Sequence, residues 1–330
     1  MSSAALAQAH ANIALAKYWG KRDTVLNLPA VGSISITLEA LATRTMVQFN
    51  KNLARDRLIL NGQPADQMKT RRVSKFLDLI RTEAGINDRA LVESENNFPT
   101  GAGLASSASA FAALALAGSQ AAGLTLDQKS LSVMARQGSG SAARSIYGGF
   151  CEMQPGQLSD GSDACAIPLA AKNYWDLQVL IAITSEQEKS TGSTDGMQLS
   201  AETSPYYKSW VASTHTDLDQ MRLAIKDKDF KRLGELSEYS CLKMHAVMLS
   251  SRPALIYWNE ITMHLINLCR TLRYNGMPVY FTIDAGPQVK LITKPDHVAD
   301  LKSEINKITG VQRIISSSLG PDAHLVEAQK

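Results

Sequence analysis

The fold class of this 330-residue chain depends on one stretch, Asn96-Asn97-Phe98-Pro99-Thr100-Gly101-Ala102-Gly103-Leu104-Ala105-Ser106-Ser107-Ala108-Ser109-Ala110. Its proline and glycines delay helix formation, and alanine-rich sequence typical of a buried helix then runs to about Ala122. Glycines let a ligand approach the backbone, and the first helical turn offers unpaired N–H groups and a positive dipole end. With the hydroxyl groups of Ser106 and Ser107, the stretch indicates a phosphate site with an oxygen available to Mg²⁺. An ordinary glycine-rich turn before a core helix stays open as the alternative.

Composition and charge exclude several classes of protein. The chain is 45% hydrophobic and 20% charged, as in ordinary globular proteins, and its length allows two hydrophobic cores and hence two domains. The net charge is only +3, and the densest basic block is Lys69-Thr70-Arg71-Arg72. Such a charge argues against a nucleic-acid partner and suits an anionic small molecule. No window reaches the roughly 18 apolar residues of a membrane span, so no membrane partner is expected.

The spacing of the cysteines and histidines does not match that of known metal-binding motifs. Cys151, Cys165, Cys241 and Cys269 form no CxxC pair, which predicts buried free thiols in a reducing compartment and therefore a cytoplasmic protein. The six histidines contain no HExxH pattern, so zinc is not expected.

Hydrophobic periodicity predicts an α+β chain. Strands are predicted at 9–16, 33–38, 44–49, 58–60, 90–94, 177–183, 279–283, 289–292 and 311–316. Helices are predicted at 65–84, 106–122, 128–136, 206–216, 218–226, 230–246, 255–275 and 297–307. Gly85 lies just past the end of the first helix, where a glycine is typical. The first four strands are expected to be antiparallel; the apolar strand 9–16 should be buried and the other three half buried. Strands 279–283 and 289–292 are expected to form a hairpin. The domain boundary is predicted within the polar segment 184–195, which gives domains 1–186 and 187–330.

Two polar clusters could bind an anion. An apolar strand is followed by Lys17, Tyr18 and Lys21. The two lysine ammonium groups could bind a diphosphate, although they could also be solvated at the surface. Hydroxyl groups from Ser139 and Ser141 lie near an arginine, Arg144, in a glycine-rich loop that suits phosphate or carboxylate. A helix cap beside a surface arginine is the alternative for this second cluster.

Two further features are ambiguous from residues alone. Ser190-Thr191-Gly192-Ser193-Thr194 is either a hydroxyl-rich ligand loop or a flexible linker. Asp284 ends an apolar strand, where an acid is either a turn former or a catalytic base facing a cleft. The helical His245 and His264 have apolar spacing and are interpreted as structural. Together the clusters predict a site for a polyanionic substrate and a nucleotide, without the GxxxxGK[ST] pattern of P-loop proteins.

The stretch at 99–108 resembles the phosphate loop of the GHMP kinase superfamily. Further segments narrow the resemblance and run in order along nearly the whole chain: Asn12-Ile13-Ala14, Lys17-Tyr18-Trp19-Gly20-Lys21, Ser94 with Asn96-Asn97-Phe98-Pro99-Thr100, Arg136 with Gly138-Ser139-Gly140-Ser141-Ala142 and Arg144-Ser145, Tyr147-Gly148-Gly149-Phe150, Glu202-Thr203-Ser204, Met244-His245-Ala246 and Asp284-Ala285-Gly286-Pro287. Together they resemble the diphosphomevalonate decarboxylase family. A mevalonate kinase would carry a different motif in place of Lys17–Lys21.

This resemblance implies a fold and a reaction. The fold would be the two-domain GHMP α+β architecture, with an N-terminal half like domain 2 of ribosomal protein S5, a ferredoxin-like C-terminal half and the site in the cleft between them. The reaction would be the ATP- and Mg²⁺-dependent conversion of mevalonate 5-diphosphate to isopentenyl diphosphate, ADP, phosphate and CO₂. A homodimer is usual in the family.

The resemblance also implies roles for individual residues. Asp284 would help take the proton of the C3 hydroxyl, Lys17 would fix charge and orientation beside it, and Arg144 would hold the substrate carboxylate. The residues implied to hold the diphosphate are Tyr18, Lys21, Ser139, Ser141 and Ser193. Those implied to hold ATP are Ser94, Asn96, Gly101, Ala102, Gly103, Leu104, Ala105, Ser106 and Ser107. Ser106 would lie nearest the transferred phosphate and would be the candidate contact for Mg²⁺.

The chain departs from the family pattern in two places. Val31-Gly32 stands where the family usually has Asn-Ser or Asn-Asp, and Gln288 stands where Asn is common. Neither change removes a residue with an implied catalytic role. The alternatives are a related kinase that stops at phosphorylation, an enzyme that accepts the 5-monophosphate, and a non-catalytic ligand-binding relative.

Overall fold

The computed structural model describes residues 4–98, 106–187 and 189–327, and these form a mixed α+β fold built on two large sheets. The strands are β1 (Ala4–Ala16), β2 (Lys21–Asp23), β3 (Leu28–Pro29), β4 (Ser33–Asn50), β5 (Arg57–Leu60), β6 (Gln63–Pro64), β7 (Arg89–Asn96), β8 (Phe150–Met153), β9 (Ala166–Ala170), β10 (Gln178–Ile183), β11 (Val279–Thr282), β12 (Val289–Thr293), β13 (Arg313–Ser317) and β14 (His324–Val326). The helices are α1 (Gln67–Ala84), α2 (Ser106–Ala121), α3 (Gln128–Gly138), α4 (Ser193–Thr203), α5 (Tyr207–Lys226), α6 (Phe230–Leu249), α7 (Glu260–Tyr274) and α8 (Val298–Asn306). Short 3₁₀ helices lie at Gly140–Ile146 and Pro295–His297.

The first sheet is organised around β1 and β4, which pair antiparallel over most of their length. Its order is β14-β1-β4-β7-β5-β6, with β8 and β9 branching from β4. The separately predicted strands 33–38 and 44–49 form one 18-residue strand, which pairs with β1 on both sides of a register shift between His10 and Asn12. The antiparallel prediction is wrong for one edge of β5, which pairs parallel with β7 over all four residues; its other edge pairs antiparallel with β6.

Small side chains let α2 lie directly on this sheet. Eleven residues of the helix are buried, and most of them are alanines. Alanine favours the helix and allows close approach of its backbone to β1 and β4. The neighbouring α1 ends at Gly85 in the left-handed conformation, as predicted, with φ of 65°. Phe76 of α1 meets Phe111 of α2 edge-on, with ring centroids 5.2 Å apart.

The second sheet has the order β11-β12-β10-β13 and is antiparallel throughout. The predicted hairpin of β11 and β12 is confirmed. Two predicted helices, 206–216 and 218–226, are the single helix α5, since Asp217 between them bonds Lys243 of α6 instead of ending the helix. Helix α7 starts later than predicted, because Asn259 caps it and accepts a hydrogen bond from the Thr262 backbone.

The two halves share strands and a core. Strand β10 lies before residue 186 yet pairs within the second sheet, and β14 near the end of the chain pairs with β1 in the first. One hydrophobic cluster joins both sheets, and it includes Ile13, Leu15, Ile181 and Ile292. The division into 1–186 and 187–330 stays a prediction. None of the helices in the described part of the chain combines the length and apolar composition that crossing a membrane requires.

Candidate active site

An ion pair joins the two halves of the molecule. Lys17 follows β1, and Asp284 follows β11; the Lys17 Nζ donates a hydrogen bond to Asp284 Oδ1 at 2.6 Å. The lysine side chain is 1% exposed and the aspartate side chain is 25% exposed. The backbone N–H of Lys17 donates to the Ser240 hydroxyl of α6, which fixes the end of β1. The fold therefore brings together two residues that are 267 positions apart and leaves the carboxylate accessible to a ligand.

Competing effects act on the pKa of Asp284. Burial alone would raise the pKa, but the positive charges of Lys17 and Lys290, the hydrogen bond from Lys17 and the charge of Arg144 hold it below its ordinary value. The carboxylate is therefore ionised at neutral pH. An ionised oxygen beside an ammonium group can accept a hydrogen bond from a hydroxyl group and hold it in one orientation.

Arg144 is 3% exposed and held by hydroxyl and amide oxygens instead of a carboxylate. Its Nε donates to Asn12 Oδ1 at 3.1 Å and to Ser35 Oγ at 3.0 Å, and its Nη1 donates to Ser33 Oγ at 2.6 Å. Burial lowers the pKa of this guanidinium group, and its partners carry no full negative charge. A buried cation with only neutral partners is a fitting place for an anionic group of a ligand.

Tyr18 brings an unpartnered hydroxyl group to the same region. Its ring lies 5.9 Å from the Arg144 guanidinium carbon, and its Oη is buried without a hydrogen-bond partner among the described residues. A Cβ added at Gly140 would lie 2.5 Å from this oxygen, so the glycine leaves room for the phenol. Burial raises the pKa of Tyr18, so the phenol stays protonated and can donate a hydrogen bond.

Two lysines surround the start of α4. The Lys21 Nζ donates to Thr194 Oγ1 at 3.0 Å, and the Lys189 Nζ donates to Ser193 Oγ at 2.7 Å and to the Ala285 carbonyl at 3.2 Å. Burial lowers the pKa of both lysines. The 190–194 stretch is therefore more than a linker, because two cations bind its hydroxyl groups and one of them also contacts the residue after Asp284.

The hydroxyl groups of α2 meet those of the 139–141 loop. Ser107 Oγ lies 3.2 Å from Ser139 Oγ, which lies 3.4 Å from Ser141 Oγ. The Asn12 amide donates to the Ser141 carbonyl at 3.0 Å and so connects this loop with Arg144. The predicted nucleotide residues Gly101–Ala105 lie outside the described residues, but the adjoining Ser106 and Ser107 are half-buried in the first described turn of α2.

A magnesium ion at this site would be held mainly by the phosphates of a nucleotide. Within the ranges that the structure describes, no group of three or more His, Cys, Asp or Glu residues could enclose a metal. Mg²⁺ commonly keeps waters and binds through one or two protein oxygens together with substrate phosphates. A serine hydroxyl is such an oxygen, so the residues present suit an ion that arrives with a nucleotide.

Ser94 and Asn96 are positioned by side-chain hydrogen bonds. Ser94 Oγ lies 2.9 Å from Thr45 Oγ1, and Asn96 Oδ1 accepts a bond from Thr43 Oγ1 at 2.6 Å. Thr43 Oγ1 also lies 2.6 Å from Ser109 Oγ of α2. Both residues are therefore connected with the sheet, and through Thr43 with the helix that follows the glycine-rich stretch.

Sequence reasoning missed several residues of this site. Ser33 and Ser35 lie in a stretch whose alternation predicted one exposed face, yet all six residues of 33–38 are buried, since the hydroxyl face turns towards Arg144 and the 3₁₀ helix. The signal was the regular spacing of hydroxyl residues along an otherwise apolar strand. Lys189 and Lys290 gave no such signal. His264 is exposed, so the structural interpretation of the two histidines is supported only for the buried His245.

Gln288, one of the departures from the family pattern, is fully buried and structural. Its Oε1 accepts a hydrogen bond from the Thr184 backbone at 2.7 Å, and its amide donates to the Ser185 carbonyl. It thereby connects the segment after β10 with the turn that carries Asp284. At the other departure, a Cβ added at Gly32 would lie 2.8 Å from Leu218 Cδ1, so little room for a larger residue exists there.

Comparisons with known proteins agree in both halves of the chain. Residues 9–166 match the model of the diphosphomevalonate decarboxylase-like N-terminal domain, and residues 179–327 match that of the mevalonate 5-diphosphate decarboxylase C-terminal domain. The diphosphomevalonate decarboxylase of Eremothecium gossypii is 39% identical over 91% of this chain and 80% of its own length.

Solved structures give the same result. The mevalonate diphosphate decarboxylase of Staphylococcus aureus has a TM-score of 0.94 and 41% identity, with 99% of each chain covered. A structure described as MDDEF in complex with MVAPP, AMPPCP and magnesium has a TM-score of 0.93 and 40% identity, and covers 99% of this chain and 100% of its own. Two family models that together cover most of the chain, and relatives well above 30% identity, establish that it belongs to the diphosphomevalonate decarboxylase family.

Proposed function

We propose that this chain catalyses the ATP- and Mg²⁺-dependent decarboxylation of mevalonate 5-diphosphate, which yields isopentenyl diphosphate, ADP, phosphate and CO₂. One observation carries the proposal: the Lys17–Asp284 ion pair lies where the two family-matched halves meet, with the Asp284 carboxylate accessible. The family membership supplies the reaction, and the relative solved with MVAPP, AMPPCP and magnesium supports the substrate and nucleotide.

Asp284 accepts the hydrogen bond of the C3 hydroxyl group in this proposal. Because nearby cations keep its pKa low, the carboxylate is a weak base that orients the hydroxyl oxygen before it takes the proton. The proton is released as the oxygen attacks the γ-phosphate, at which point the hydroxyl group becomes much more acidic. Lys17 keeps the carboxylate in position through the 2.6 Å hydrogen bond.

Arg144 holds the substrate carboxylate. Its guanidinium group is fixed by Asn12, Ser33 and Ser35, so the cation is oriented before the substrate binds. After phosphorylation the C3 oxygen leaves as phosphate, and positive charge develops beta to the carboxylate. The C–C bond to the carboxylate then breaks, and its electron pair forms the alkene as CO₂ departs. Arg144 thus keeps the carboxylate aligned for this step.

The diphosphate of the substrate is bound by hydroxyl groups and a lysine. The proposed residues are Tyr18, Lys21, Ser139, Ser141 and Ser193. Support comes from the buried, unpartnered Tyr18 hydroxyl, from the serine chain at 139–141 and from the lysine contacts at the start of α4. Hydroxyl and ammonium donors are the groups that bind phosphate oxygens well.

ATP is proposed to bind at the start of α2, along Ser94, Asn96 and the glycine-rich stretch that ends at Ser107. Helix N-termini bind phosphates through free N–H groups and the helix dipole. Ser106 is the proposed protein ligand of Mg²⁺, which when bound neutralises phosphate charge during transfer.

The testing experiment follows two products in one reaction. Purified protein is mixed with ATP, Mg²⁺ and mevalonate 5-diphosphate, and ADP and CO₂ are measured together. Equal release of ADP and CO₂ is expected. ADP without CO₂ would show a kinase that stops at phosphorylation, and release only with the 5-monophosphate would show a different substrate. Neither product, with ATP bound, would show a ligand-binding relative.

We also propose a homodimer in the cytoplasm. The dimer rests on the family resemblance and is tested by light scattering coupled to gel filtration, where a mass near twice 35.8 kDa is expected. All four cysteines are buried free thiols, which supports a reducing compartment.

A further inference from the structure

One helix, α6, hydrogen-bonds to the backbone on both sides of the Lys17–Asp284 ion pair. The bonds are made by two neighbouring side chains in the middle of the helix, Ser240 and Cys241, which are 2% and 0% exposed. Neither residue takes part in the reaction described above. Their contacts with the two segments that carry the ion pair indicate what they contribute to it.

Ser240 holds the residue that carries the ammonium group. Lys17 directly follows β1, and its backbone N–H donates a hydrogen bond to Ser240 Oγ at 2.9 Å in the protein interior. A buried backbone N–H needs an acceptor, because an unpaired one is costly. Here the acceptor comes from a helix 223 positions further along the chain, so α6 determines where the end of β1 lies.

Cys241 holds the residue that precedes the carboxylate. Ile283 directly follows β11, and its backbone N–H donates to Cys241 Sγ at 3.3 Å. The thiol donates in return to the Ile283 carbonyl at 3.4 Å. Burial raises the pKa of this thiol to about 11, so at neutral pH it keeps the proton that the second bond requires. Both backbone groups of the residue next to Asp284 are therefore bonded to one side chain.

The helix gives two strand ends from different sheets a common reference. Strand β1 belongs to the first sheet and β11 to the second. Neighbouring helical residues project about 100° apart, so Ser240 and Cys241 can bond two different segments at the same height of α6. The 2.6 Å contact between Lys17 Nζ and Asp284 Oδ1 depends on where these two backbones lie.

We infer that Ser240 and Cys241 are positioning residues that set the placement of Lys17 relative to Asp284. Their effect on turnover rests on the proposed function, whereas their effect on the geometry of the ion pair does not. Loss of either side-chain bond frees one of the two backbone segments to shift. A displacement of about 1 Å can lower the rate of an enzyme about 100-fold, because the reacting groups lose their alignment.

The kinetic test compares alanine variants with a matched control. Ser240→Ala and Cys241→Ala are each expected to lower kcat about 10- to 100-fold with little change in substrate KM, because alignment is lost and ground-state binding is not. Cys241→Ser should restore most of kcat, since a hydroxyl group both donates and accepts. Ser237→Ala is the control: this buried hydroxyl donates to the Leu233 carbonyl of its own helix, and kcat should stay unchanged.

A double variant separates positioning from general destabilisation. When Asp284 is already replaced in Asp284→Asn, Ser240→Ala should have little further effect on kcat, because residues that act as a unit are not additive. A serine that only stabilised the fold would lower kcat by the same factor with either residue at position 284. Such an equal factor, or a loss in Ser237→Ala as large as in Ser240→Ala, would overturn the inference.

Crystal structures of the same variants without ligands test the geometry directly. In Ser240→Ala and Cys241→Ala the contact between Lys17 and Asp284 should lengthen beyond hydrogen-bonding distance, and in Cys241→Ser and Ser237→Ala it should stay. An unchanged contact in the folded alanine variants would overturn the inference. Failure of both alanine variants to fold would do the same in favour of a purely structural role. These structures remain decisive even if the unaltered chain releases neither ADP nor CO₂ and the proposed function fails.

Discussion

Replacement of Asp284 by asparagine tests the centre of the proposed site. The amide keeps the size of the side chain and can still accept a hydrogen bond from Lys17, but it carries no charge and cannot take a proton. A positioned general base contributes about 10²–10⁴-fold to a rate, so kcat is expected to fall by about that factor. This corresponds to roughly 3–5 kcal/mol of lost transition-state stabilisation.

The effect of Asp284→Asn on stability should be far smaller than its effect on rate. A hydrogen bond to a charged group contributes about 1.5–3 kcal/mol, which is the upper range for the 2.6 Å contact with Lys17. Part of that loss is recovered, since the amide oxygen still accepts a hydrogen bond from the Lys17 ammonium group. We expect a loss of about 1 kcal/mol in the free energy of unfolding, a folded protein at 25 °C and nearly unchanged ATP affinity.

The assay combines ADP and CO₂ release with calorimetric ATP binding and chemical unfolding of the same preparations. Asp296→Asn is the matched control, because Asp296 is an exposed aspartate in the 3₁₀ helix after β12. A kcat within tenfold of the unaltered chain would refute the base assignment. Loss of folding or of ATP binding would show that Asp284 is structural.

Three further predictions follow from the same geometry. Arg144→Ala should lower kcat/KM for the substrate about 100-fold through lost alignment and leave ATP affinity unchanged; selective loss of ATP binding would contradict its role. In Gly140→Ala the new Cβ would meet Tyr18 Oη at 2.5 Å, so substrate KM should rise, and an unchanged KM would refute the placement of the phenol. Buried His245 accepts a hydrogen bond from Trp258 and has a pKa lowered to about 3, whereas the unfolded chain takes a proton below about 6.5. The free energy of unfolding should therefore decrease as pH falls from about 6.5 towards 3, and His245→Gln should flatten this dependence in urea unfolding.

Much of the site was predictable because its residues lie in recognisable local patterns. The hydroxyl-rich loops and the lysines after β1 indicated a polyanion site before any contact was known. The orientation of Ser33 and Ser35 was not predictable, because strand alternation separates two faces without showing that both faces are covered by other elements. Lys290 was missed for a related reason: a lysine in a short apolar strand is usually at an edge or snorkels to solvent.

The sequence alone determined the α+β class, the Gly85 helix end, the hairpin of β11 and β12 and the family resemblance, since these depend on local propensity and on motifs in order. Only the tertiary structure decided that β10 joins the second sheet, that β14 returns to the first and that Lys17 meets Asp284 across 267 positions. Such contacts depend on which faces the packed sheets bury together. The physical reason is that burial and charge arise between elements distant in the chain, where local periodicity carries no information.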